Sequence, residues 1–162
     1  MIAGTDASTT PASSPPAHAF FLDGDAGPLF AVHFRPPPER YAGHDVLVLP
    51  PLGDEMNKSR RMLAAQARAL NAAGAGMLMV DLYGTGDSAG DFREARWPTW
   101  LRDVQAALDW LADGGGRLGL IGLRMGALFL PHLLGQGRLI DHVALWQPVT
   151  RGDLLLTQFL RP

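Results

Sequence analysis

The sequence predicts an α/β fold, with a mostly parallel, doubly wound sheet, helices on both of its faces and an antiparallel edge at the N-terminal end. Three observations predict it. Short apolar runs alternate with segments of helical periodicity, glycine-rich loops separate them, and two early runs are joined by the tight turn DGDAG. The later strands are continuously apolar, which is typical of parallel sheets covered on both faces.

The strands and helices follow in order along the chain. The two early strands, at 19–22 and 29–34, form the expected antiparallel edge. Further strands are predicted at 45–50, 76–82, 117–121 and 142–148, and helices at 57–73, 98–113 and 125–134.

Composition limits the function classes. The chain has 162 residues, of which 47% are hydrophobic and 19% charged, as in an ordinary globular domain. The net charge of −2 gives no electrostatic case for a nucleic-acid partner. Without cysteine there are no disulfides or thiolate metal sites. No apolar run approaches the roughly 20 residues of a membrane-spanning helix, so no transmembrane segment is predicted.

The first 17 residues are rich in Ser, Thr, Pro and Ala and are predicted to be a disordered tail before a domain over 18–162. This tail has neither the basic start nor the apolar middle of a secretory signal. We therefore expect a cytoplasmic location.

The motif GLRMG is the first candidate site. It lies where a strand turns into a helix, with Arg124 between Gly122 and Gly126. The hydrolase corner G-x-S-x-G has the same outline and carries a nucleophilic serine at its centre. Arginine is no nucleophile, and at a helix N-terminus it opposes the helix dipole. Arg124 is therefore expected to meet a bound anion or a carboxylate, unless it simply faces solvent at a tight turn.

The loop at 50–57 also ends a parallel strand, where ligands bind in such sheets. Asp54 and Glu55 precede Lys58, Arg60 and Arg61 at the start of a helix. These charges either neutralise one another on a solvated face, or one of the acids reaches Arg124, or the basic groups receive an anionic ligand.

The loop at 82–92 matches two patterns by letters. Gly84, Gly86 and Ala89 fit the dinucleotide pattern G-x-G-x-x-A, and Ser88 is central in a G-x-S-x-G match beside Asp87. Both patterns require a helix that begins at the motif, whereas the next helix is predicted from 98. Ser88 is therefore either a weak nucleophile candidate or a turn residue that satisfies backbone groups. No cofactor is expected.

The histidines give no catalytic or metal signal. None of the five follows the last buried strand, and no pair has metal-ligand spacing. We expect no metal and no general base among them.

The segment PPLGDEMNKSRRM, the loop DLYGTGDS and the corner GLRMGA, in this order, resemble the α/β-hydrolase superfamily over about 18–150. The first segment and the arginine at the corner are similar to the exosortase A system-associated hydrolases of the second type. These occur in bacteria that sort PEP-CTERM proteins and make exopolysaccharide. The resemblance implies a hydrolase fold and a partner in the exopolysaccharide pathway.

The resemblance also implies residue roles. Arg124 takes the nucleophile position, and the backbone N–H groups of Leu52 and Met125 take the oxyanion-hole positions. The superfamily places its acid and histidine after later strands than this chain contains, and a sheet that stops at HVALW exposes an apolar edge. A truncated α/β-hydrolase domain, incomplete at its C-terminus, is therefore expected. The expected binding residues are Asp54, Glu55, Asn57, Lys58 and Arg61.

Two functions remain open from the sequence. The resemblance implies an ester or acyl hydrolase, although arginine in place of the serine gives no support to Ser–His–Asp catalysis. The alternative is a non-catalytic hydrolase-fold protein, a pseudoenzyme, in which Arg124 binds an anionic ligand or partner.

Overall fold

A computed structural model of the chain describes residues 17–160. The predicted tail at 1–17 lies outside the described residues except for Ala17, which is the first residue of a strand. The elements run β1 (Ala17–Leu22), β2 (Leu29–Phe34), β3 (His44–Leu49), α1 (Asp54–Ala72), β4 (Ala75–Val80), α2 (Trp97–Asp113), β5 (Arg117–Leu123), α3 (Leu130–Leu134), β6 (His142–Trp146) and α4 (Gly152–Phe159). Short 3₁₀ helices cover Pro38–Arg40, Phe92–Glu94 and Arg124–Phe129.

The six strands form one mixed sheet in the order β1-β2-β4-β3-β5-β6. The strands β3, β4, β5 and β6 pair in parallel, while β1 and β2 pair antiparallel to each other and β2 antiparallel to β4. The predicted mostly parallel sheet with an antiparallel N-terminal edge is thus confirmed.

Helices cover both faces of this sheet, as predicted. On one face, Leu63 and Ala67 of α1 pack with Val48 and Met77. On the other face, α2 and the segment from Met125 to Leu133 pack on the larger core, which contains the fully buried Phe129. None of the helices among residues 17–160 is both long and apolar enough to cross a membrane.

Three helices differ from the sequence prediction. The first helix begins at Asp54 rather than at 57, because Gly53 turns the chain at φ 60°, a conformation that glycine adopts without strain. The helix predicted at 125–134 is a 3₁₀ segment followed by the single turn α3, which has Pro131 in its first turn. The helix α4 was not predicted.

The strand β6 is at one edge of the sheet and is exposed over most of its length. Val143 and Leu145 are 42% and 46% exposed. The apolar edge expected at HVALW is therefore present among the described residues. That the domain is incomplete at its C-terminus stays a prediction.

A polar cluster lies at the N-terminal end of β3, at the end of the sheet opposite to GLRMG. The buried Asp45 accepts a hydrogen bond from Tyr41 at 2.5 Å, and His33 Nε2 lies 3.5 Å from its other oxygen. Burial raises the pKa of Asp45, but the hydrogen bonds from His33 and Tyr41 lower it by more than burial raises it. The pKa of Asp45 is therefore below the ordinary 3.8. Burial and the bond to Asp45 raise the pKa of Tyr41 to about 12.

This cluster predicts a pH dependence of stability. Because the pKa of Asp45 is lowered on folding, its ionised form stabilises the protein above pH 3.8, and the contribution is lost as the pH falls through the lower folded pKa. Asp45→Asn is expected to be less stable than wild type at pH 7 and to lose less stability on acidification. Urea unfolding at pH 7, 4 and 3 measures this, with the exposed Asp113→Asn as control. Equal acid slopes for wild type and Asp45→Asn would contradict it.

Candidate functional site

The sheet brings the ends of β3 and β5 side by side, and with them the loops at 50–57 and 122–126. These two strands are parallel neighbours, with Leu49 opposite Gly122. The chain then turns at Arg124, whose φ of 52° lies in the left-handed region. For a non-glycine residue this costs about 1–3 kcal/mol, and such strain is concentrated at functional sites.

A glycine makes the close approach of these loops possible. A Cβ atom on Gly126 would lie 2.0 Å from the carbonyl oxygen of Leu49. The 3₁₀ segment after Arg124 therefore packs directly on the end of β3. As a result, Met125 and Leu52, both buried, line one cleft. Their oxyanion-hole role stays a prediction.

The guanidinium of Arg124 meets a carboxylate, one of the two outcomes expected for it. Its Nε donates to Glu55 Oε1 at 3.0 Å. The side chains of Arg124 and Glu55 are 29% and 41% exposed, so the pair is open to solvent and its net contribution to stability is small. Since α1 begins at Asp54, Glu55 lies in the first helical turn, where a carboxylate is favoured by the helix dipole.

The other predicted binding residues lie further from Arg124. Asp54 forms an exposed pair with Lys58, at 3.9 Å. Asn57 and Arg61 are exposed on α1, and the amide oxygen of Asn57 accepts from Arg60 Nε at 3.5 Å. Of the predicted set, Glu55 contacts Arg124, Asp54 and Lys58 share clefts with it, and Asn57 and Arg61 do neither.

Two clefts have the Arg124–Glu55 pair in their walls, and each has a volume of about 470 Å³. The first, here called the Gln147 cleft, is also lined by Lys58 and Ser59 and by Gln147 at the end of β6. The second, here called the Phe159 cleft, is also lined by Gly53 and Asp54 and by Leu155, Gln158 and Phe159 of α4.

Ser88 has a backbone role in the loop at 82–92. Its hydroxyl donates to the carbonyl of Asp81 at 2.6 Å and accepts from the N–H of Phe30 at 2.8 Å. The neighbouring Asp87 is exposed, and its N–H donates to the carboxylate of Asp81 at 3.1 Å. No helix begins at the motif, because the next α-helix starts at Trp97. The helix that both letter patterns require is therefore missing at this loop.

Sequence reasoning missed the ion pair that holds this loop. Arg60 Nη2 lies 3.0 and 2.8 Å from the two carboxylate oxygens of the buried Asp81. On the other side of the loop, Asp103 accepts the N–H of Tyr83 at 2.9 Å, and burial raises the pKa of Asp103. The charge of Arg60 was visible in the sequence, but nothing there indicated which acid it would reach.

Gln147 is a second residue that the sequence did not single out. It has a φ of 46° at the end of β6, and two residues later the N–H of Val149 donates to the carbonyl of Arg124 at 3.0 Å. The strained residues Arg124 and Gln147 thus line the same cleft at the ends of neighbouring parallel strands. The strand-to-helix corner GLRMG indicates the positive φ of Arg124, whereas no such pattern surrounds Gln147.

The described residues have the α/β-hydrolase fold. They form a mixed sheet in which the chain turns sharply after the strand β5. A Xanthomonas campestris protein, an α/β serine hydrolase without a lid, is 27% identical over 70% of this chain and 53% of its own, with a TM-score of 0.56. Est1E of Butyrivibrio proteoclasticus, with ferulic acid bound, is 23% identical over 77% and 51%, with a TM-score of 0.65. A Pyrococcus furiosus esterase is 19% identical over 83% and 50%, with a TM-score of 0.66.

The chain thus spans about half the length of these three proteins. No protein-family model and no curated protein sequence matches the chain.

Proposed function

We propose that this chain is a hydrolase-fold protein that binds an anionic ligand through Arg124 and does not perform serine-triad catalysis. The single observation that carries the proposal is the position of Arg124. It has a positive φ at the corner after β5, in the place that the resemblance gives to the nucleophile, and its guanidinium lines two clefts. Guanidinium groups bind carboxylates and phosphates through several N–H donors at once.

The ion pair with Glu55 leaves donors of Arg124 for a ligand. Nε is the atom that binds Glu55, and a guanidinium has four further N–H donors on its two terminal nitrogens. The site is close to neutral as it stands, since the charges of Arg124 and Lys58 balance those of Glu55 and Asp54. The first N–H groups of α1 add a partial positive charge, because Gly53 provides no side-chain cap there.

Two further observations support binding over catalysis. The hydroxyl of Ser88 is engaged with two backbone groups, which leaves it no free orientation for attack. Among residues 17–160, no histidine lines either cleft that contains Arg124, so the described part of the chain offers no histidine of a Ser–His–Asp triad there.

An ester or acyl hydrolase remains the second candidate function, because two of the solved structures that share this fold are esterases or serine hydrolases by name. A role in the exosortase and exopolysaccharide system depends on the resemblance of PPLGDEMNKSRRM and of the arginine at the corner. A cytoplasmic location stays a prediction from the sequence.

Calorimetric titration of the protein with acetate and with inorganic phosphate tests the proposed function. Arg124→Gln is expected to weaken binding by about tenfold or more, because a hydrogen bond to a charged group contributes about 1.5–3 kcal/mol. Arg68→Gln, which removes the same charge from an exposed position of α1, is the matched control and is expected to bind as wild type does. Equal affinities of wild type and Arg124→Gln overturn the proposal.

A catalytic assay separates the two candidates. Wild type is expected to hydrolyse p-nitrophenyl acetate no faster than a buffer control. A rate that disappears in Arg124→Ala, or a fluorophosphonate label on Ser88, would favour the hydrolase instead.

A further inference from the structure

A large apolar cleft lies beside the Arg124 site. It has a volume of about 680 Å³, within the range of small-molecule sites, and no charged side chain is among its lining residues. Its walls come from the 50–57 loop, the start of α2, the 3₁₀ segment after Arg124 and the helix α4. The central lining residues are Trp97, Trp100, Met125, Leu156 and Phe159.

Much of this apolar lining is open to solvent. Trp97 is 38% exposed, Phe159 is 48% exposed and Leu156 is 55% exposed. The three belong to two helices, α2 and α4, that face each other across the cleft. Contiguous exposed apolar surface on one side of a concave site is characteristic of a binding surface rather than of ordinary solvated surface.

The apolar cleft is continuous with the Phe159 cleft that contains Arg124. The two have Leu52, Leu155 and Phe159 in common. A Cβ atom on Gly53 would lie 3.1 Å from the ring of Phe159, so the backbone at the start of α1 packs closely against that ring. An apolar surface and a polar site with Arg124 thus meet at Phe159, and one molecule of suitable length reaches both.

Resting on the function proposed above, we propose that the ligand is an amphiphilic carboxylate. Its carboxylate binds the terminal nitrogens of Arg124 beside the N-terminus of α1, and its apolar chain lies in the cleft between Trp97 and Leu156. The polar end is anionic because the terminal nitrogens of Arg124 and the first N–H groups of α1 are donors there, and Glu55 engages Nε alone. The carboxylate of Asp54 also lines this cleft, but it is 91% exposed, so water screens its charge. The other end must be apolar because the lining offers it no charged partner.

The experiment measures the binding of four probes, octanoate, butyrate, octan-1-ol and octyltrimethylammonium, below their micellar concentrations by calorimetry. Octanoate is expected to bind at least tenfold more tightly than butyrate, because each buried methylene contributes to affinity. Octanol and octyltrimethylammonium are expected to bind more weakly than octanoate, since neither places a negative charge at Arg124. Fluorescence of Trp97 and Trp100 is a second readout of occupancy.

Two α4 variants provide a matched pair. Leu156→Gln alters a residue that lines the apolar cleft, whereas Leu154→Gln alters a residue that does not, and the two are 55% and 49% exposed. Because both are surface residues, neither change threatens folding. Leu156→Gln is expected to weaken octanoate binding about fivefold and to leave butyrate unchanged, while Leu154→Gln changes neither.

The outcomes distinguish this inference from the proposed function. If butyrate and octanoate bind equally and both depend on Arg124, the ligand class is wrong and the anion site stands. If octanoate binds equally well to Arg124→Gln, the anion site itself is overturned. If octyltrimethylammonium binds more tightly than octanoate, the charge of the ligand is the reverse of that proposed.

Discussion

Gly126→Ala is expected to destabilise the fold by about 3 kcal/mol or more. The added Cβ would lie 2.0 Å from the carbonyl oxygen of Leu49 and 2.6 Å from its carbonyl carbon. Both are backbone atoms of the central strand β3, so a side-chain rotation cannot relieve the overlap. Overpacking of a rigid core has a cost of this order.

Urea unfolding followed by tryptophan fluorescence measures this effect. Gly152→Ala is the control, because its Cβ would make an ordinary contact of 3.6 Å with Leu128 in a helical first turn. That variant is expected to be as stable as wild type, or slightly more so, because alanine reduces the entropy of the unfolded chain. A Gly126→Ala variant within 1 kcal/mol of wild type would show that the corner after β5 does not pack on β3 as described.

Arg60→Gln is expected to destabilise the protein by about 2–3 kcal/mol. Asp81 is buried, and Arg60 Nη2 binds both of its carboxylate oxygens. Without the guanidinium, the N–H of Asp87 is the remaining donor described for that carboxylate, and a buried charge that loses its partner is costly. Because Arg60 is itself 33% exposed, water offsets part of the loss.

Lys58→Gln is the matched control for Arg60→Gln on the same helix. Its pair with Asp54 is exposed on both sides and 3.9 Å long, so its removal is expected to change stability by less than about 0.5 kcal/mol. Asp81→Asn combined with Arg60→Gln is expected to be more stable than Arg60→Gln alone, since the uncompensated charge is then absent. If Arg60→Gln and Lys58→Gln are equally stable, Arg60 does not hold Asp81 in solution.

The sheet could be predicted because the sequence of each strand indicates its place in the sheet. The run DVLVLP is apolar on both faces and thus belongs inside a parallel sheet, and DGDAG leaves room only for a hairpin. The boundaries were less certain where one backbone angle decides them. The start of α1 at Asp54 depends on the φ of 60° at Gly53. Glycine can adopt this angle but adopts negative φ values as readily, so the sequence does not determine it.

The site could be predicted in part for a related reason. A cation at a helix N-terminus calls for a negative partner, and this general rule led to Glu55 as one of two carboxylates that could reach Arg124. Which of Arg60 and Arg61 would turn inward to Asp81 depends on the path of the 82–92 loop, which no local rule specifies. The apolar cleft was missed because α4, which forms one wall of it, was not predicted.

Because the Arg124–Glu55 pair is open to solvent, ligand binding at the proposed anion site is expected to depend on salt concentration. The screening length falls from about 10 Å at 0.1 M salt to about 3 Å at 1 M, and exposed charges feel this change far more than buried ones. A chloride wash at molar strength is therefore expected to elute a ligand held by Arg124, while the contact of Arg60 with the buried Asp81 persists. Low-salt buffers are therefore expected to favour binding at the proposed anion site.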